Sequence, residues 1–162
     1  MVSHISKQET FNATGTAIAV TTGELAQDIS IDTQNIQSSE SSNVVTVQNR
    51  GKNSSISIKS GNIYSSDQSS IGITAENQEN TKNILIQAKD INTGVGINAF
   101  NNGTGFTTIN TGNITAEQNG INATNGDNTQ QLTINTKNIS ASTAISAMNS
   151  GKNSILSIQT AM

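Results

Sequence analysis

The chain has 162 residues and a formal charge of −3, and only 32% of it is hydrophobic and 2% aromatic. That apolar share falls well below the usual ~45–50%, which excludes a globule with a broad core, while 12% charged residues are too few for a typical disordered chain. The acidic balance excludes a nucleic-acid binder that tracks phosphates with clustered Lys and Arg, no apolar run reaches the ~20 residues of a membrane helix, and the absence of Cys removes disulfide frameworks and thiolate metal sites.

Residues 1–15 stand outside any repeat. Met1-Val2-Ser3-His4 leads straight into polar sequence and does not read as a secretory signal. The apolar Val2, Ile5 and Phe11 suit either an N-terminal cap or a disordered tail. His4 is the one histidine, and it reads as a solvated residue or expression remnant rather than a catalytic group.

Over 16–162 two strand-like segments alternate. Ile18-Ala19-Val20-Thr21-Thr22 is followed by Ile29-Ser30-Ile31-Asp32-Thr33-Gln34-Asn35-Ile36. Val45-Thr46-Val47-Gln48-Asn49 is followed by Ile56-Ser57-Ile58-Lys59-Ser60-Gly61-Asn62-Ile63. Ile73-Thr74-Ala75-Glu76-Asn77 precedes Ile84-Leu85-Ile86-Gln87-Ala88-Lys89-Asp90-Ile91, and Ile97-Asn98-Ala99-Phe100-Asn101 precedes Thr107-Thr108-Ile109-Asn110-Thr111-Gly112-Asn113-Ile114. Ile121-Asn122-Ala123-Thr124-Asn125 then precedes Leu132-Thr133-Ile134-Asn135-Thr136-Lys137-Asn138-Ile139. Finally, Ile145-Ser146-Ala147-Met148-Asn149 precedes Leu156-Ser157-Ile158-Gln159-Thr160.

The central isoleucines Ile31, Ile58, Ile86, Ile109, Ile134 and Ile158 are separated by 27, 28, 23, 25 and 24 residues. The interleaved segment keeps the same period, so two registers share one repeat. Apolar residues alternate within each segment, the pattern of a strand with one buried face. Two strands and a shorter third per repeat predict an all-β, right-handed, single-stranded parallel β-helix of about six coils of 23–28 residues, with the central isoleucines stacked as its core. Pro is absent, which suits a chain that is mostly paired strand. A left-handed β-helix would place apolar residues every six, and a leucine-rich repeat would place Asn one residue earlier; neither spacing fits.

Asn35, Asn62, Asp90, Asn113 and Asn138 fall where the first strand turns a corner, where Asn tolerates left-handed backbone angles. Asn49, Asn77, Asn101, Asn125 and Asn149 form a second column. Both are expected to be structural ladders of stacked amides.

Gly61-Asn62-Ile63, Gly112-Asn113-Ile114 with Ala116, Gly120-Ile121-Asn122-Ala123 and Leu132-Thr133-Ile134-Asn135-Thr136 resemble the coils of bacterial autotransporter passenger domains of the pertactin-like type. The resemblance spans about residues 16–160. It implies export as an unfolded chain through an outer-membrane barrel, a location on the bacterial surface or outside the cell, and an adhesin or virulence role. The partner it implies is a host cell-surface protein or receptor, or another bacterial cell. The chain lacks that barrel and a signal peptide and stops mid-coil, so the expectation is a fragment of a longer passenger.

Chemistry is not visible in the columns. The outward positions after the central isoleucine read Asp32, Lys59, Gln87, Asn110, Asn135 and Gln159, and no outward column stacks the two acids a glycosidase or lyase needs. The expectation is a non-catalytic module with no cofactor, no metal and no nucleic-acid partner. Phe100, Phe106 and Tyr64 alternate outward and are the candidate binding residues. The longer loops at Ser38–Asn43 and Ser65–Ser70 are candidates for specificity or plain decoration. The alternatives are a fragment of a polysaccharide-acting β-helix enzyme or phage tail spike, or a purely structural stalk.

Overall fold

The computed structural model describes residues 3–5, 10–40 and 43–161. Among them the regular structure is entirely β, in nineteen strands numbered in chain order. Three parallel sheets share them. The first contains β1 (Ser3–Ile5), β4 (Ile29–Asp32), β7 (Ile56–Lys59), β10 (Ile84–Ala88), β13 (Phe106–Thr111), β16 (Gln131–Thr136) and β19 (Ile155–Thr160). The second contains the short β2 (Thr10–Ala13), β5 (Asn35–Ser38), β8 (Ile63–Ser65), β11 (Ile91–Thr93), β14 (Ile114–Ala116) and β17 (Ile139–Ser140). The third contains β3 (Ile18–Thr21), β6 (Asn43–Asn49), β9 (Ile71–Asn77), β12 (Val95–Asn101), β15 (Asn119–Asn125) and β18 (Thr143–Asn149).

The chain visits the sheets in turn and returns one strand spacing further along, which is the predicted β-helix. Parallel returns of this kind are almost always right-handed. The register is that of the repeat: Ile31↔Ile58, Ile58↔Ile86, Ile86↔Ile109, Ile109↔Ile134 and Ile134↔Ile158 are direct partners. The interleaved file Val45, Ile73, Ile97, Ile121, Ile145 is equally exact to the residue. Alternation sends these side chains inward, and the core is a narrow column of Ile, Val and Ala from all three sheets.

Three expectations change. Ser3–Ile5 and Thr10–Ala13, the strands described within 1–15, join the array: β1 pairs with β4 through Ser3↔Ile29, His4↔Ser30 and Ile5↔Ile31, and β2 pairs Phe11 with Ile36. His4 is thus part of a ladder, while Val2 lies outside the described residues. Ile158 keeps its register but is 45% exposed, because β19 has a neighbour on one side only. Among the described residues the left-handed ones are not the corner column from Asn35 to Asn138 but Asn53, Asn80 and Asn153, with φ of 59°, 67° and 57°.

Those three occupy the corner between the third and first sheets. There the hydroxyls of Ser54, Thr81 and Thr129 donate to the carbonyls of Gly51, Gln78 and Gly126, at 2.5, 2.6 and 2.6 Å. At Ser54 and Thr81 the hydroxyl closes a tight turn that the left-handed Asn53 and Asn80 make possible, whereas the Thr129 turn has the same bond without a left-handed residue. The corner between the second and third sheets depends instead on absent side chains. A β-carbon on Gly96 would lie 2.9 Å from Ile114 Cγ2 and also collide with the Gly120 carbonyl.

Candidate functional site

The predicted aromatic residues do not converge. Tyr64 faces out from β8 in the second sheet and is 41% exposed, and Phe106 opens β13 in the first sheet at 40%. Phe100 is half-buried in the outward file of the third sheet between Glu76 and Thr124. Phe100 and Phe106 therefore flank one corner, and Tyr64 stands on another face.

The two Asn columns do different work. Asn49, Asn77, Asn101 and Asn125 are buried at the corner between the third and first sheets. Asn49 Nδ2 donates to Asn77 Oδ1 at 3.0 Å, and Asn77 Nδ2 donates to Asn101 Oδ1 at 3.4 Å. The file then passes through a hydroxyl: Asn101 Nδ2 donates to Thr107 Oγ1, which donates to Asn125 Oδ1 at 2.7 Å. Asn77, Asn125 and Asn149 each also donate to a main-chain carbonyl six residues on, those of Asn83, Gln131 and Ile155. These amides staple the corner shut.

The other column is more exposed, and its bonds run mainly from side chain to main chain. Asn35 Oδ1 accepts from the Asn62 N–H at 3.0 Å, and Asp90 Oδ1 accepts from the Asn113 N–H at 2.7 Å. Only Asn113 and Asn138 add side-chain links, to Asp90 and Asn113 respectively.

Beside this column lies a feature sequence reading did not anticipate. Two hollows of about 390 and 870 Å³ follow each other along the edge between the first and second sheets. Register explains their shape. One wall is the outward file Asp32, Lys59, Gln87, Asn110, Asn135, Gln159. The floor is the small file Thr33, Ser60, Ala88, Thr111, Thr136, Thr160, where Thr33 donates to Ser60 and Thr111 to Thr136. The other wall is Gln34, Gly61, Lys89, Gly112, Lys137, Ala161, joined by the Lys89 N–H to Gly61, Gly112 N–H to Lys89 and Lys137 N–H to Gly112 carbonyl bonds. The longer outward file, the small floor and a far side that rises at Gln34, Lys89 and Lys137 and dips at Gly61, Gly112 and Ala161 make an interrupted groove parallel to the solenoid axis.

Its sides carry amides and ammonium groups, and the larger hollow also exposes Ala88, Ile158 and Ala161. Lys59 lies 4.0 Å from Asp32, whereas Lys89 and Lys137 pair with no carboxylate among the described residues. Asn135 Nδ2 donates to Asn110 Oδ1 at 2.7 Å, and Asn135 Oδ1 is buried without a donor.

Sequence reading also missed two acids, 50 residues apart in the chain, that line the same small hollow. Asp67 and Glu117 line one small notch with Tyr64 on the second-sheet side. Both the hydroxyl and the N–H of Ser69 donate to Asp67 Oδ1, at 2.5 and 2.6 Å. These bonds hold the Asp67 carboxyl below its ordinary pKa. A general acid needs the opposite shift, so Asp67 is not poised as one. Among the described residues no three His, Cys, Asp or Glu side chains gather to hold a metal ion.

Comparison with known proteins finds no matching family model, no matching curated protein and no matching solved structure.

Proposed function

We propose that the chain is a non-catalytic binding module of an exported β-helical protein of the autotransporter-passenger type, holding a partner on a host or bacterial cell surface along its side. The observation that carries this reading is the groove along the edge between the first and second sheets. A groove parallel to the axis repeats the same chemical position once per strand spacing, about 4.8 Å. That arrangement suits an extended partner better than a compact one. The rigid ladder fixes those positions before binding, which lowers the entropic cost of association. A Cys-free chain is also compatible with crossing a membrane unfolded, since no disulfide has to wait.

The test is retention of fluorescently labelled protein on cultured animal cells and on bacteria. The reading expects wild-type protein to be retained on one of them. Gln87→Ala/Asn110→Ala/Gln159→Ala is expected to lose that retention with its circular dichroism unchanged. Phe100→Ser/Phe106→Ser reports separately on the corner between the third and first sheets. Absence of wild-type retention on every cell type, or full retention by the groove variant, contradicts the reading.

A further inference from the structure

We infer that the chain stacks end to end with a second copy of itself, the open edges of β17, β18 and β19 in one copy receiving β2, β3 and β4 of the next. In a solenoid each coil is completed by its neighbours, and a terminal coil without a polar cover exposes core and ladder together. The far end is of that kind. Leu132 and Ile134 in β16 are buried, whereas their partners Leu156 and Ile158 in β19 are exposed. Of the seven exposed large hydrophobic side chains among the described residues, five belong to the two end coils. They are Leu25 at the first corner, 96% exposed, and Met148, Ile155, Leu156 and Ile158 at the far end.

The climb of the coil fixes which strands meet. β17, β18 and β19 belong to the second, third and first sheets in turn, so they are continued by β2, β3 and β4 in the same order. Phe11 and Ile139 are the two ends of one inward file, and Ile18 and Ile145 are the ends of another. Across the junction Ile139 therefore meets Phe11, Ile145 meets Ile18, Asn149 meets Thr22 and Ile158 meets Ile31. The turns agree as well: 13 residues separate Ile18 from Ile31, and 13 separate Ile145 from Ile158. β1 holds the β4 edge through three residues only, and in the stack it yields that place to the six-residue β19.

Charge selects this arrangement. Residues 10–32, which hold β2, β3 and β4, carry Glu24, Asp28 and Asp32 and no Lys or Arg. Residues 137–162, which hold β17, β18 and β19, carry Lys137 and Lys152 and no Asp or Glu. Lys152 stands in the same corner sequence as Lys52, Gly51-Lys52-Asn53-Ser54 returning as Gly151-Lys152-Asn153-Ser154. Lys52 reaches Glu24 on the adjacent rung at 3.4 Å, and the stack sets Glu24 of the second copy one rung beyond Lys152, which pairs with no carboxylate among the described residues. Two far ends placed face to face would instead reverse the chain sense, lay unlike sheets over each other and offer Lys152 no acid from the opposing coil. A head-to-tail contact repeats without closing, so the product is a filament.

The experiment is sedimentation velocity of the full chain over a wide concentration range, joined to disulfide trapping. The expected result is a series of species that lengthens with concentration. Leu156→Lys/Ile158→Lys is expected to stay monomeric with its circular dichroism unchanged, and removal of residues 1–9 to bring assembly to lower concentration by freeing the β4 edge. Lys152→Glu is expected to lower the association constant by up to about fivefold, and Glu24→Lys in the same chain to restore it. Adjacent rungs lie about 4.8 Å apart, within disulfide reach. A mixture of Glu24→Cys and Lys152→Cys chains is therefore expected to give a mixed dimer on mild oxidation, with neither chain linking to itself. A monomer at every concentration, a disulfide between two Lys152→Cys chains, undiminished assembly of Leu156→Lys/Ile158→Lys, or a truncated chain that assembles no more readily than the whole one overturns the inference. Monomeric protein that is still retained on cells would remove the stack and keep the binding reading.

Discussion

Replacing Asn77 by Leu tests whether the buried amide file holds the corner between the third and first sheets. Asn77 is buried, accepts from Asn49 Nδ2 at 3.0 Å, and donates to the Asn83 carbonyl at 2.9 Å and to Asn101 Oδ1 at 3.4 Å. Leu has similar bulk, so the change leaves little cavity. What it leaves is an unpaired polar group: the Asn49 Nδ2 proton loses its acceptor in a dry site, while the Asn83 carbonyl keeps the Ile56 N–H. That orphan costs about 1–3 kcal/mol. The apolar burial that Leu gains offsets part of this, for a net destabilisation of roughly 1–2 kcal/mol. Asn113→Leu is the control. Asn113 is exposed, water replaces its partners, and the expected cost is within about 0.5 kcal/mol. Urea unfolding followed by far-ultraviolet circular dichroism reads both, with the midpoint and slope reported together because coils of a solenoid can unfold in blocks. If Asn77→Leu costs no more than Asn113→Leu, the file is decoration and the reasoning fails.

Three further predictions follow from the packing. Ile109→Asp sets an unpaired carboxylate between Ile86 and Ile134 in a core one side chain wide, and a calorimetric scan should lose its cooperative transition. Gly96→Val drives a side chain against the Gly120 carbonyl and Ile114 and should cost about 1–3 kcal/mol or more, whereas Gly23→Ala, with open space at its β-carbon, should be neutral in the same denaturation assay. The Asp67 carboxyl should titrate below its ordinary range in a carbon-detected NMR titration. Because its folded pKa is depressed, its contribution is present above the unfolded value and is lost as pH falls through the folded one, and Ser69→Ala should return the titration towards the ordinary value.

Much of the fold is written in the isoleucines. A strand period of two fixes which residues turn inward, and the shared repeat of two segments fixes which of them touch, so the Ile31-to-Ile134 file could be placed residue by residue. The N-terminal rung was hidden because Ile5 and Phe11 are single apolar residues without the alternation that marks later strands. The left-handed corner was hidden by abundance: Asn53, Asn80 and Asn153 resemble every other Asn, and only the Ser or Thr that follows each one marks them. The groove was hidden for another reason. The small file from Thr33 to Thr160 is visible in the sequence, but a trough exists only once Gln34, Lys89 and Lys137 rise on its far side, and that depends on the corner angle. Asp67 and Glu117 line one hollow from two rungs apart on the solenoid, a placement that no local pattern encodes.

The in-register climb of one rung per repeat underlies every site described above, and spin labels measure it directly. Gln34 and Lys137 are exposed, share one wall position and stand four rungs apart, and a chain without Cys allows Gln34→Cys/Lys137→Cys to be labelled cleanly. Pulsed dipolar spectroscopy is predicted to give one narrow distance distribution consistent with a backbone separation of about 19 Å broadened by the label linkers. A broad distribution, or one centred at a distance that four stacked strands cannot span, would contradict the stacked solenoid and with it the groove.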